Sequence, residues 1–520
     1  MAQQRIDGAT QRTALTLQAD LVVVGSGPAG SAVAREAALA GARVVVVEAG
    51  RWLRPDEFAL SAFDSMAGYY RAMGAQVVLG RAPMPYVQGK MVGGSSPING
   101  AICWRLPQDV HSAWVAADPG LAQALPWPVL EALTDAIEQR LNVAPTAQAV
   151  AGAKNLLMAR GAEAMGLEHR PIRRNVQGCE GLGRCLQGCP KGRKLSVDAT
   201  LLADAEAAGA LVLSATEIDG IEVERGRAVA VVGRSDGGAR VRVVARRAVV
   251  VAASAIQSPV LLLQRGLTHG PVGQNLQCHP GVSLSGTFAE PVRMWQGATQ
   301  GHEVIGLRDQ GLKFEALGFD LAILASRLPG FGRPFARELA AMAHQLDWGV
   351  AVRAQARGRV RRWAGRTLVT YSPTAQDVAQ FRKGLRVLGE MMLAAGARHV
   401  ALGVRGAPVR TERVADLHAF ERDGPTSPAA YTAAITHMFS TCKMGSDPRY
   451  SVVGPDFAHH AVRGLYIADS SVFPTHLGVN PQIAITAIAT LCARRAVGRP
   501  LDAAWLTARA GHPLPLESTP

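Results

Sequence analysis

Residues 20–50 read DLVVVGSGPAGSAVAREAALAGARVVVVEAG. The run LVVV is short, β-branched and apolar on both faces, the pattern of a strand buried inside a parallel sheet. Gly25, Gly27 and Gly30 follow at GxGxxG spacing. The first glycine allows a tight turn, the second lets a pyrophosphate approach the backbone, and the third lets a helix pack on the strand. The spacing predicts a helix from Pro28 to about Ala40 whose N-terminus faces the phosphates. A second strand, RVVVVEAG, ends in Glu48, about twenty residues beyond the glycines, where a carboxylate can accept bonds from ribose hydroxyls. Strand, glycines, helix, strand and acid fall in the order of a dinucleotide-binding βαβ unit. The pattern does not separate FAD from NAD, and an ordinary βαβ turn is the alternative reading.

Outward from this unit, 520 residues with 48% hydrophobic and 18% charged content suit a globular chain of more than one domain. The net charge of +14 comes mostly from scattered arginines, which suit solubility, an acidic partner or an anionic surface. Aromatic residues are only 5%, and no basic stripe with interleaved aromatics stands out, so no nucleic-acid partner is expected. The polar start MAQQRIDGATQRTALTLQAD has no apolar core segment, and no apolar run reaches the length of a transmembrane segment. A cytoplasmic location is expected, with export alongside a signal-bearing partner as the alternative. Seven cysteines, an odd number, argue against a disulfide framework.

A second glycine cluster, GKMVGGSSPING at 89–100, places Gly93, Gly94 and Ser95 in a turn rich in N–H and hydroxyl donors. With it stand VVVAASAIQSPVLLLQRGL (249–267), VGQNLQCHP (272–280), HMFSTCKMGSDP (437–448) and GLYIADSSVFPTHLGVNPQIAITAIA (464–489). Together, from about residue 18 to 500, these segments resemble the glucose-methanol-choline family of FAD-dependent oxidoreductases. The resemblance implies an α/β fold: a Rossmann-type FAD-binding domain assembled from separated segments, with a substrate domain on an antiparallel β-sheet. Two positions depart from the family pattern. Arg265 stands where a Ser-Gly pair is usual, and Pro97 and Ile98 follow the double serine where some relatives carry a flavin-linking histidine. FAD is therefore expected to bind without a covalent link.

The resemblance also implies a site. His437 aligns with the family's catalytic histidine and Asn480 with its partner. A neutral histidine suits removal of a hydroxyl proton, and an asparagine can donate to the developing alkoxide without taking a charge. The helix after Pro481 would aim its positive end at the flavin. Gly93, Gly94, Asn99 and Asp469 would touch the pyrophosphate, ribityl chain or flavin, and Ile218 would lie beside the adenine. His476 is expected to shape the pocket at most, and His279 to hold a turn.

Residues 179–190, CEGLGRCLQGCP, crowd three cysteines together. Cys179, Cys185 and Cys189-Pro190 keep three cysteines and the proline of a ferredoxin-like run. The spacing resembles that of family sugar dehydrogenases, whose [3Fe-4S] cluster passes electrons to a cytochrome. The flanking GCPKGRKLS resembles instead the long-chain and aryl alcohol oxidoreductases, so cluster ligands and a thiol-rich loop both stay open. The expected reaction is oxidation of a hydrophobic aliphatic or aryl alcohol by hydride transfer to FAD. A dehydrogenase that hands electrons to a protein or quinone is preferred over an oxidase. A sugar dehydrogenase with an iron-sulfur relay and a hydroxynitrile-lyase-like enzyme are the alternatives. Expected boundaries are 1–280 for the first part of the FAD domain, including the loop 175–195, then 281–450 for the substrate domain. A return to the first domain over 451–500 and a tail over 501–520 complete the chain. Within the substrate domain, DVAQFRKGLRVLGEMMLAAGA (377–397) predicts an amphipathic helix, and apolar residues from 313 to 345 are expected in a core, with lining of a pocket as the alternative.

Overall fold

The computed structural model describes residues 5–328, 330–501 and 505. The expected tail from 501 otherwise lies outside the described residues. Two large sheets organise the chain. In the first, the strand Leu15–Val24 lies between Val44–Val47 and Arg240–Val251, parallel to both. Leu211–Ser214 extends the parallel run beside Val44–Val47, and Leu465–Ile467 pairs with Arg240–Val251. The β-branched runs Leu21–Val24 and Val44–Val47 are buried throughout, as strands covered on both faces must be. Helices Pro28–Leu39 and Gln482–Ala496 pack against each other and the sheet.

The segment 211–252 also belongs to this sheet. Thr216–Glu224 and Arg227–Ser235 form an antiparallel edge. Arg240–Val251 pairs with that edge in its first half. On its other side it pairs with Leu15–Val24 from Val241 to Val251, with a register shift between Ala245 and Ala248. One 12-residue strand thus serves both meander and parallel core, which its alternating start and all-apolar end AVVV allow.

The second sheet has nine strands and is mostly antiparallel, centred on Gln277–Thr287, Gln345–Val352 and Ala433–Phe439. Short strands at Gln76–Val78, Met84–Tyr86 and His169–Pro171 join it from the first half of the chain. The predicted amphipathic helix is observed as Ala375–Ala394. Thr374 and Asp377 cap it reciprocally, and Val378, Phe381, Leu385, Leu388 and Met391 are all buried. The region 313–345 is less of a core than expected. Leu324 is buried, whereas Leu321 is 45% and Phe331 89% exposed. Among the described residues, no helix is long and apolar enough to cross a membrane.

Candidate active site

A cavity of about 910 Å³ opens where the two sheets meet. One end is walled by the glycine loop. Gly25, at φ 99°, turns the chain at the end of its strand, and Gly27 faces the open space, its missing Cβ meeting only Gly94 at 3.9 Å. Glu48, Gly94, Ser95, Asn99, Ile218, Asp469 and Asn480 also line the cavity. Gly30 and Gly93 do not. Gly30 lies beneath the loop, where a Cβ would stand 1.8 Å from the Gly25 carbonyl. The Gly93 amide donates to Ser26 Oγ at 2.9 Å, tying the second glycine cluster to the first.

The carboxylates are already partly engaged. Glu48 Oε2 accepts from the Ser26 amide at 2.9 Å and hydroxyl at 2.7 Å, and Oε1 accepts from the Gly50 amide at 2.8 Å. Asp469 accepts from the Ser254 amide at 3.0 Å, the Ser258 hydroxyl and the Ser471 amide at 2.8 Å. Burial pushes its carboxyl above the usual range, against these bonds. The residues present fit an FAD. The glycine loop is open toward the cavity, the start of the helix Gln482–Ala496 lies on its wall, and Gln482 Nε2 is buried there without a hydrogen-bond partner. Asn99 Nδ2 fixes the other end of that amide, donating to Gln482 Oε1 at 2.6 Å.

His437 and Asn480 meet on the same cavity, with Asn480 Nδ2 3.4 Å from His437 Nε2. His437 sits on the strand Ala433–Phe439 and Asn480 just before the last helix, so each sheet-forming half contributes one of the pair. Burial, and then the Lys313 ammonium, pull His437 down to about 3, which leaves it neutral at ordinary pH. Lys313 donates to Asn480 Oδ1 at 3.0 Å. The bond orients the amide, leaving its NH2 toward His437 and the cavity. Lys313 itself is 2% exposed, held between Glu303 at 2.9 Å and Glu315. Burial works against its charge, but the two carboxylates prevail and raise its pKa. Trp104 Nε1 and Arg170 Nε each hold Glu303 at 2.8 Å.

Sequence reasoning missed this ionic support. Its signal is GLKFEALGF, where Lys313 and Glu315 fall on one face of a strand whose other face is apolar. His279 is also more than a turn residue. It lies in the strand Gln277–Thr287, buried between His437 and His476. Its Nδ1 is 3.2 Å from His437 Nδ1, and its Nε2 accepts the Gly478 amide at 2.9 Å. His476 Nε2 donates to the Ala354 carbonyl at 2.8 Å. Burial lowers His476 to about 4 and His279 well below its ordinary value, so the three rings form a neutral cluster.

The cysteine loop does not present a ligand set. Arg174 donates to Cys185 Sγ at 3.0 Å and to Cys179 Sγ at 3.7 Å, while Cys189 Sγ accepts the Arg193 amide at 3.3 Å. One guanidinium thus bridges the first two sulfurs. Among the described residues no group of three His, Cys, Asp or Glu side chains is arranged to hold a metal ion. The candidate [3Fe-4S] ligands Cys179, Cys185 and Cys189 therefore do not fit a cluster here. The loop does reach the cavity, because Leu186 and Gln187 line it and their carbonyls accept from Tyr70 and Tyr69.

Beyond Asn480 the cavity wall is largely apolar, with Tyr86, Ile102, Val282, Leu317, Phe319 and Ile435. Comparison with known proteins gives the same outline. Residues 19–281 match the N-terminal and 355–489 the C-terminal model of GMC oxidoreductase. An uncharacterized GMC-type oxidoreductase of Mycobacterium tuberculosis is 35% identical over 93% of this chain and 76% of its own length. A long-chain-alcohol oxidase of Arabidopsis thaliana is 26% identical over 91% of this chain and 68% of its own. In fold, the chain is similar to pyridoxine 4-oxidase from Mesorbium loti, with TM-score 0.68 and 18% identity over 91% of this chain and 98% of that one.

Proposed function

This chain belongs to the GMC oxidoreductase family, FAD-dependent enzymes acting on CH–OH groups, and we propose that its own reaction is oxidation of a hydrophobic alcohol, aliphatic or aryl, to the aldehyde or ketone. The observation that carries this reading is the meeting of a neutral His437 with the Asn480 amide on the wall of a large, mainly apolar cavity. The similarity to a long-chain-alcohol oxidase supports it.

When bound, FAD supplies the hydride acceptor. Gly25, Gly27, Glu48, Gly94, Ser95, Asn99, Ile218 and Asp469 would hold it. His437 takes the hydroxyl proton, which a neutral imidazole can do across ordinary pH. Asn480 donates its NH2 to the oxygen as negative charge gathers there, and the Lys313 ammonium behind it favours that charge. The apolar wall excludes water and seats the substrate's hydrocarbon. The preference for a dehydrogenase rests on the cysteine run as an electron route. With Arg174 between the thiols that support falls away, and reoxidation of the reduced flavin in air decides between the two.

The test is an anaerobic absorbance spectrum of the holoenzyme with a panel of aliphatic, aryl and sugar alcohols. Bleaching of the flavin bands by apolar alcohols supports the reading. Bleaching by sugars alone overturns the substrate class, and bleaching by none favours a lyase.

A further inference from the structure

Between Asp347 and Asp377 the chain holds Arg353, Arg357, Arg359, Arg361, Arg362 and Arg366, and no acidic residue. The segment folds as a hairpin, Arg359–Trp363 against Arg366–Thr370, which forms a two-stranded sheet of its own. Ala364 and Gly365 at the turn have φ 47° and 77°, the tight reversal that matches strand twist. Trp363 thus stands at a defined tip and is 72% exposed.

The register sorts the side chains by face. Trp363 opposes Arg366, Arg361 opposes Leu368 and Arg359 opposes Thr370 on one side, while Val360 opposes Val369 on the other. The two valines are buried and fix the base of the hairpin to the body. The opposite face therefore presents Arg359, Arg361, Arg366 and Trp363 together. Among the described residues, Arg357, Arg359, Arg361, Arg362 and Arg366 are exposed and none makes an ion pair. Leu79, 49% exposed, runs along the base, its amide donating to the Val369 carbonyl at 2.8 Å.

We propose that this hairpin docks the enzyme on an anionic phospholipid surface, with Trp363 in the headgroup layer and the arginines on lipid phosphates. Unpaired cations complement the negative leaflet, and an indole beside them belongs at the boundary between headgroup and hydrocarbon. Single-stranded nucleic acid would call for several aromatic platforms along a groove, whereas this hairpin carries one aromatic residue, Trp363. The strand Gln76–Val78 beside the hairpin pairs with Met84–Tyr86, whose Pro85 and Tyr86 line the cavity. Docking there sets the cavity a few strands from the bilayer. The inference does not depend on the substrate assigned above.

The test is co-sedimentation of the flavin-loaded enzyme with phosphatidylcholine vesicles, with and without about one-quarter phosphatidylglycerol. Binding is expected only to the anionic vesicles, and is expected to fall as salt is raised. Arg359→Gln, Arg361→Gln and Arg366→Gln together are expected to weaken it about 100-fold, at about fivefold per arginine. Trp363→Ala is expected to weaken it while flavin content and alcohol turnover stay unchanged. Absence of binding at low salt overturns the proposal. So does equal binding by Trp363→Ala, or binding to duplex DNA or an acidic protein that the anionic vesicles do not displace.

Discussion

At the scale of single residues, the site depends on three side chains that act as one unit. His437→Ala is expected to slow flavin reduction by about 10²–10⁴-fold, the range for loss of a positioned proton acceptor. Asn480→Ala is expected to cost about 10²–10³-fold by removing the donor to the developing oxyanion. Stopped-flow reduction of the flavin under anaerobic conditions reads both, and an unchanged rate in either variant removes that residue from the mechanism. Lys313 has a distinct signature. Its charge is one of the two causes that hold His437 near 3, after burial. Lys313→Met therefore lets the His437 pKa rise, and the acid limb of the reduction rate moves to higher pH. A rate that falls with no movement of that limb would mean that Lys313 serves only to orient Asn480. The variant also takes the Lys313 cation from buried Glu303, which keeps Arg170, and from partly buried Glu315, so the profile is read on enzyme shown to retain its flavin.

At the scale of elements, the glycine loop separates a packing role from a binding role. A Cβ on Gly30 would collide with the Gly25 carbonyl, backbone that cannot move without parting strand from helix. A Cβ on Gly27 meets nothing closer than 3.9 Å and points to the phosphate end of the cavity. Gly30→Ala is thus expected to lower both the melting temperature of the flavin-free protein and its FAD content. Gly27→Ala is expected to lower FAD content alone. A flavin-to-protein absorbance ratio and a thermal melt of the stripped protein separate the two, and matching losses in both variants would contradict the assignment. This loop was legible in the sequence because its chemistry is local. Strand, turn and helix lie within thirty residues and each glycine has a steric reason. The helix 375–394 was legible for the same reason, its apolar period being contiguous, although its start, after the Thr374 cap, lies two residues before the expected one. Lys313 was not, since its partners Glu303 and Asn480 come from other segments and only the sheet brings them together. Arg174 is the sharper case. The cysteine spacing gave iron-sulfur chemistry a place, but an arginine five residues before Cys179 bridges two of the sulfurs, and spacing alone carries no information about which side chain turns inward.

At the scale of the whole molecule, the buried histidines tie stability to pH. His437 lies near 3 and His476 near 4, His279 lies well below its ordinary value, and all three titrate near 6.5 once exposed. Above pH 6.5 both folded and unfolded chains hold these rings neutral, and they add no pH dependence. Below it the unfolded chain takes up protons that the folded chain refuses, so the unfolded state gains and the fold loses stability. Each ring contributes a slope of up to about 1.4 kcal/mol per pH unit, which persists until the folded pKa is reached. Three such rings together approach about 4 kcal/mol per unit, a large share of the 5–15 kcal/mol that typically holds a fold. The contribution of these three rings to the melting temperature is therefore expected to be flat above about pH 7 and to fall steeply between about pH 6 and 5. His476→Gln removes one of the three titrations while its Nε2 can still donate to the Ala354 carbonyl, and it is expected to reduce the cluster's share of the slope by about one third, while burial of His302 and His459, each lowered to about 4, adds a part that the variant leaves unchanged. A melting curve as steep in that variant as in the parent would show that the pH dependence arises outside the cluster that surrounds the active site.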